Sequence, residues 1–344
     1  MNIMVIFGGE SVEHEVSIIT AYQLIERLNR HTVYPIYITK DSDMLYVKKS
    51  TISDFKGSDY LKKSVKAQFT KKGFNKKKMD VAIIAMHGTN GEDGMMASLL
   101  NFYDIPFVGS NSISAGIGQD KGFMKDILSK NDIPVIPYQI LYDYEFISNE
   151  YKVKLPCIIK PARLGSSIGI KVAFNDEELH EYLKEAFLYD KKVIIEDYLP
   201  NLRELNCAFV GDYEYQNESN IEEILKKKPL LDYDDKYLLK NSGRIIKAVV
   251  DKNLEKRIVD LGKKTMRLFD CSGVCRIDYL VDGDNVYVNE INTIPGSFSF
   301  YLFDEDFPLL EQLLKIAFKD YCNRKKKVYS FNNNILDSSG IKIK

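Results

Sequence analysis

The sequence predicts an α/β protein built from two or three compact domains, and three observations lead there. Short apolar runs of strand character alternate with amphipathic helical segments through the first hundred residues, the pattern of an open α/β sheet. At 344 residues the chain is longer than one typical domain. Its composition, 45% hydrophobic and 28% charged, supplies sizeable cores and excludes global disorder.

Charge and cysteine content narrow the function classes. A formal net charge of −1 leaves no overall basic footprint of the kind that nucleic-acid binding favours. Lysine runs at 71–78, 226–228 and 325–327 come without a nucleic-acid module, so they read as solvated surface. Five cysteines, odd in number and without a CxxC pair, fit a free-thiol cytoplasmic protein better than a disulfide or zinc scaffold. The opening MNIMVIFGG reads as a short strand, neither a leader nor a membrane span. The expectation is a cytoplasmic protein with no nucleic-acid partner and no membrane insertion.

Taken in order, residues 3–7 read as a buried strand ending in Gly8-Gly9, with a helix over 17–29 and a second strand over 32–38. A strand at 81–86 runs into HGTNGEDG, and a helix follows over 95–102. In open α/β sheets ligand groups gather at the carboxyl ends of strands, where Gly8-Gly9 and His87-Gly88 sit. GGESVE can cradle an anion, yet it is neither a dinucleotide nor a P-loop fingerprint. A turn over 105–111 precedes an amphipathic helix over 115–130, and near 132–134 the first unit gives way to the second.

Strands are expected at 157–160, 169–172 and 193–196, with a helix over 177–188. Between the first two lies PARLGSSIG, whose N–H and hydroxyl donors suit either a mobile lid over phosphates or an ordinary hairpin loop. Lys160 stands in an apolar strand just before Pro161, so it either snorkels from an edge or faces a bound anion. A strand at 203–209 carries Glu204, which can receive ribose hydroxyls. A polar insertion over 212–228 and the run LLDYDDKYL come next, then helices over 254–269 and 308–318.

The segment CRIDYLVDGDNVYVNEINTIPGSFSFY, residues 275–301, concentrates the chemistry. Two strand-like stretches flank an Asp-Gly-Asp-Asn turn, and alternation places Arg276 with Asp278 and Glu290 with Asn292. Two carboxylates and an amide oxygen suit Mg²⁺ or Mn²⁺, with substrate phosphates completing the shell. A hairpin with a solvated acidic face is the plainer alternative. Joined by Lys160, the GSSIG loop and Lys236, the cluster describes a site for phosphates and a divalent ion, without a Walker lysine or a kinase catalytic loop.

At this point the chain resembles the D-alanine–D-alanine ligase family of the ATP-grasp superfamily. The matching segments, in the family's order, are FGGESVEHEVS (7–17), HGTNGEDG (87–94), QDKGFMK (119–125), IIKPARLGSSIGI (158–170), IIEDYL (194–199), DYDDKYL (232–238), CRIDYL (275–280) and VNEINTIPG (288–296). The resemblance implies a three-domain ATP-grasp ligase: an α/β substrate domain over 1–119, a lid domain over 120–210, a catalytic domain over 211–330 and a peripheral tail over 331–344. ATP would lie between the last two domains, with two Mg²⁺ or Mn²⁺ ions, and the chain would form a homodimer acting on small amino acids. The implied reaction joins two D-alanines through a D-alanyl phosphate for peptidoglycan precursor synthesis.

Position by position, the resemblance makes Glu13 the partner of the first substrate's ammonium and puts His87 beside that substrate. Lys121, Lys160 and Lys236 match nucleotide and phosphate lysines, and Ser166 and Ser167 belong to the lid loop over the phosphates. Glu196 and Leu199 match the adenine hinge, Glu204 the ribose ligand, and Asp278, Glu290 and Asn292 the metal ligands. Arg276 matches the arginine that steadies the acylphosphate, with Gly296 a backbone donor nearby. Ser166 and Tyr237 match partners of Glu13 in a closing network. Two departures bear on the second substrate: the polar 212–228 segment, and Tyr301, preceded by Phe300, where the family usually presents a small polar group. A ligase for a different second amino or hydroxy acid is therefore the alternative reading, and a non-catalytic nucleotide-binding regulator a remoter one. Asp278→Ala is expected to weaken turnover far more than folding.

Overall fold

The computed structural model describes residues 1–146, 151–152, 154–200, 202–225 and 243–326. Lys236 and Tyr237 lie outside the described residues, as does most of LLDYDDKYL's surroundings.

The first unit is a sheet ordered Ser64–Lys66, Met44–Val47, Thr32–Ile38, Asn2–Gly8, Val81–Ile84, Phe107–Val108. Asn2–Gly8 runs parallel to both its neighbours, which explains its unbroken apolar run: a central parallel strand is covered on both faces. Alternation divides that run between two cores, Ile3, Val5 and Phe7 packing on one face and Met4 and Ile6 on the other. Helix His14–Arg27 covers the first face, together with Leu309, Leu313 and Leu314 of helix Leu309–Lys325. The last helix of the described chain is thus built into the core of the first unit.

A second, antiparallel sheet is ordered Tyr138–Tyr142, Lys192–Asp197, Cys157–Pro161, Lys171–Ala173. Helix Asp176–Phe187 backs it through Leu179, Leu183 and Ala186. Asn175 caps this helix by accepting from the Glu178 N–H at 2.9 Å, and three acidic residues in the first turn complement the helix dipole. A third, antiparallel sheet is ordered Gly243–Ile246, Gln216–Leu225, Arg203–Gly211, Gly273–Asp282, Asn285–Asn292. Helix Lys252–Leu268, capped by Asp251, lies against it.

Two expectations need correction. The helix foreseen over 115–130 is two helices, Ser112–Gln119 and Lys121–Lys130. Asp120 breaks them apart because it adopts an extended conformation and accepts from the N–H groups of Gly122 and Phe123, a capping arrangement that periodicity does not reveal. The polar segment beginning at 212 is not an insertion: Gln216–Leu225 is a ten-residue strand paired with Arg203–Gly211. It reads as polar because it buries Gln216 and Glu222 beside other polar groups instead of aliphatics.

Candidate active site

The predicted hairpin is present, with Arg276 and Asp278 on one strand and Glu290 and Asn292 on the other. Arg276 pairs with Asn292 and Asp278 with Glu290 across strands Gly273–Asp282 and Asn285–Asn292. Pairing continues the other way from Asp278 to Asn206 and on to Glu222, so one row of the sheet carries Glu222, Asn206, Asp278 and Glu290. The Arg276 guanidinium grips Asp278 bidentately, Nε to Oδ1 at 2.7 Å and Nη2 to Oδ2 at 2.8 Å. Burial pushes the Asp278 carboxyl up to about 6 against the pull of that guanidinium, and burial likewise works against the arginine's charge, which Asp278 more than restores. Alanine at 278 would strip a partly buried guanidinium of its counter-charge, so Asp278→Ala is expected to lower stability along with turnover, and Asp278→Asn is the informative replacement.

Asn292 donates its amide to Asp278 Oδ2 at 3.2 Å. Two carboxylates and an amide form a hard oxygen donor set, which suits Mg²⁺ or Mn²⁺ provided that phosphates and water supply the remaining ligands. Among the described residues there is no group of three or more His, Cys, Asp or Glu able to hold a metal unaided.

Opposite the hairpin, the loop after Gly8-Gly9 delivers Glu13 at the start of helix His14–Arg27. The Ser166 hydroxyl donates to Glu13 Oε1, which brings the lid loop across the cleft. Gly165 permits this closeness: a Cβ there would stand 2.7 Å from Glu13 Oε2. Ser166 and Ser167 both sit in the left-handed region, at φ of 56° and 58°, the kind of backbone strain that gathers at ligand clamps.

His87 is buried at the end of strand Val81–Ile84, 2.9 Å from the Thr20 hydroxyl and bonded to the Ile294 backbone. Burial lowers its pKa to about 4, so it is a neutral imidazole at physiological pH. Its contribution to folding is complete above 6.5 and is lost as pH falls through 6.5 to 4, a span worth on the order of 3 kcal/mol. Glu92, pushed up to about 8 by burial and by the charge of Glu13, acts with the opposite sign, losing its contribution as pH rises from 4.5 to 8. Denaturation of His87→Gln followed from pH 7 to 4 should therefore show a shallower acid decline than the wild type; parallel declines would show that His87 titrates normally.

Lys121 stands 3.6 Å from Glu290 Oε2 and donates to the Leu164 carbonyl at 3.0 Å, joining the hairpin to the lid loop. Behind it lies a buried charge triad: Glu196 Oε2 receives Lys160 Nζ at 2.6 Å, and Glu196 Oε1 lies 2.8 Å from Lys125 Nζ. Lys160 also reaches Asn289 Oδ1 at 3.4 Å, a side chain made available where the hairpin register slips by one residue. Two ammonium groups against one carboxylate leave an excess positive charge in a dry setting, which favours an anion nearby. Leu199 follows the strand that carries Glu196 and is half-buried, as is Glu204, whose charge is felt by Asp278.

The turn after Pro295 closes the cleft. Ser297, Phe298 and Ser299 are consecutively left-handed, at φ of 52°, 50° and 52°, and are held there by burial of Phe298 and Ser299 and by Ser297 Oγ donating to Gln23 at 2.5 Å. Tyr301 then turns its hydroxyl to Glu222 Oε2 at 3.2 Å. The resulting cleft, of about 310 Å³, brings together Glu13, His87, Lys121, Ser166, Arg276, Glu290, Asn292, Gly296 and Tyr301. Lys160, Ser167, Glu196, Leu199, Glu204 and Asp278 are not among its lining residues. Sequence reasoning passed over Glu92, Lys125, Glu222 and Arg244. The first two lay inside quoted motifs, Glu222 lay in the stretch read as an insertion, and Arg244 lay outside every quoted segment.

Profiles of the D-ala D-ala ligase N-terminus and C-terminus match residues 2–110 and 127–307. A D-alanine–D-alanine ligase of Thermosipho africanus is 38% identical, with 98% of each chain covered. The chain belongs to the D-alanine–D-alanine ligase family. Its structure agrees: the Helicobacter pylori D-alanine–D-alanine ligase superposes with a TM-score of 0.76 at 30% identity, covering 92% of this chain and 98% of that one. The VanG D-Ala:D-Ser ligase of Enterococcus faecalis superposes with a TM-score of 0.79 at 28% identity, covering 93% and 99%. Family membership gives the fold as a three-domain ATP-grasp ligase and the ligand as ATP. No helix among the described residues is long and apolar enough to cross a membrane.

Proposed function

We propose that the protein joins two D-alanines to D-alanyl-D-alanine at the expense of ATP, for peptidoglycan precursor synthesis in the cytoplasm. The observation that carries this reading is the meeting, in one cleft, of the Arg276, Glu290 and Asn292 hairpin with Glu13 and the lid serine that bonds it.

The residues divide the work. Glu13 pairs with the first D-alanine's ammonium and leaves its carboxylate free to attack the γ-phosphate, giving D-alanyl phosphate and ADP. The amine of the second D-alanine then attacks the acyl carbon; the C–N bond forms, the C–O bond breaks, phosphate departs and the amine sheds a proton. Arg276 offsets charge on the acyl oxygen and on the departing phosphate, with Gly296 alongside. Lys121, Lys160 and Lys236 receive nucleotide phosphates, while Glu196 acts through the lysines it holds and Leu199 and Glu204 meet adenosine. Asp278, Glu290 and Asn292 would hold Mg²⁺ or Mn²⁺, which would supply further neutralisation of phosphate charge. Neutral His87 orients the Thr20 side of the first subsite without carrying a charge. Ser166, Ser167 and Tyr237 close the lid and exclude water that would hydrolyse the acylphosphate. The substrate, lid and catalytic domains meet at this cleft, and the active form is a homodimer.

Oxygen-18 in the carboxylate of D-alanine tests the route. One labelled atom should appear in released phosphate for each dipeptide formed, because the attacking oxygen leaves with phosphorus. Phosphate free of label would contradict an acylphosphate.

A further inference from the structure

The acceptor side of the cleft contains charged groups that the assignments above leave without a role. Glu222, on strand Gln216–Leu225, is 1% exposed. Its Oε2 receives the Tyr301 hydroxyl at 3.2 Å and the Asn206 amide at 3.3 Å. Its Oε1 has no hydrogen bond among the described residues, and Arg244 Nη1 stands 3.5 Å away. Arg244, on the neighbouring strand Gly243–Ile246, shares Glu222's face of the sheet and sets its guanidinium 5.3 Å from the Tyr301 ring centre. Tyr301 and Arg244 both line the cleft, whereas Glu222 lies behind them.

A carboxylate buried this deeply needs a counter-charge, and Arg244 is the cation at its outer edge. The guanidinium is fixed from two sides, by Glu222 through charge and by the Tyr301 ring through cation–π contact. Its side chain is half exposed, so donors remain that neither contact uses. Five fixed N–H groups at the mouth of an amino-acid subsite match a planar carboxylate. We infer that Arg244, clamped by Glu222 and Tyr301, binds the carboxylate of the second amino acid and so helps to select an acceptor that carries one. Tyr301 then serves as wall and clamp in place of a small polar group, and Glu222 is a positioning residue that does not touch substrate.

The inference rests on the cleft accepting an amino acid as second substrate. Steady-state kinetics separate its failure from failure of that reading. Arg244→Ala, at a half-exposed site, should raise KM for the acceptor D-alanine roughly ten- to a hundredfold, the worth of a charged hydrogen bond, with kcat and the donor-site KM within about twofold of wild type. Arg244→Lys should recover part of the loss. Glu222→Gln and Tyr301→Phe should each raise the acceptor KM less than Arg244→Ala does. Wild type should favour D-alanine over D-alaninamide as acceptor, and Arg244→Ala should lose that preference. An unchanged acceptor KM, equal changes at both subsites, or an intact preference against the amide would overturn the clamp. A wild-type product other than D-alanyl-D-alanine would instead overturn the reading of the substrate.

Discussion

Glu196→Gln should cost about 3–5 kcal/mol of folding stability, the penalty for removing one partner of a buried ion pair. Glu196 is wholly buried between Lys125, itself 1% exposed, and Lys160 at 7%. Glutamine fills the same volume but leaves two ammonium groups in a dry setting with no counter-charge. Burial alone would raise the Glu196 pKa; the two lysines reverse this and bring it down to about 2. The sign follows directly: the carboxylate's contribution is complete above 4.5 and is lost as pH falls through 4.5 towards 2. Urea denaturation at pH 7 gives the magnitude, and a loss below about 1 kcal/mol would show that the triad is not the electrostatic unit described. Lys125→Met in the Glu196→Gln background should recover part of the loss, because it removes the most deeply buried uncompensated charge.

The largest effect on turnover is expected for Arg276→Ala, a fall in kcat of about a hundred- to a thousandfold, the range seen when one preorganised donor to a developing oxyanion is removed. Folding should suffer less than in Asp278→Ala. Without the arginine, Asp278 can take up a proton, since burial already pushes its carboxyl up to about 6. Without the aspartate, Arg276 has no such escape. Arg276→Lys keeps the charge and loses the bidentate grip on Asp278, so its kcat should fall between wild type and alanine. Single-turnover phosphate release measured beside thermal unfolding separates chemistry from stability. A kcat within about threefold of wild type for Arg276→Ala would remove the arginine from the reacting centre.

The sequence made part of the central hairpin legible: a period of two shows that Arg276 shares a face with Asp278 and Glu290 with Asn292, whereas the observed pairs Arg276–Asn292 and Asp278–Glu290 depend on a one-residue slip between Asp278 and Tyr279 that strict alternation from the turn does not foresee. The same logic misread the strand Gln216–Leu225. Polarity was taken as a sign of an insertion, whereas here it marks a strand whose inward face completes a polar row with Asn206 and Asp278. Glu222 went unnoticed for that reason, since its partner Tyr301 is distant in the chain, and Arg244, beyond that stretch, stood in no motif. The break at Asp120 was hidden differently. Helical periodicity runs through it, and only the capping geometry shows that Lys121 begins a new helix and turns toward Glu290. Glu13 and Ser166 were joined through family resemblance; their contact depends on Gly165 admitting the carboxylate, which spacing alone cannot show.

The most direct test is the mass of the product formed from ATP, Mg²⁺ and an equimolar mixture of D-alanine, D-serine, D-lactate and L-alanine, read beside phosphate release. D-alanyl-D-alanine as the dominant product, one phosphate for each dipeptide, is the expected result. A dominant D-alanyl-D-serine or D-alanyl-D-lactate, or phosphate release without any condensed product, would contradict it.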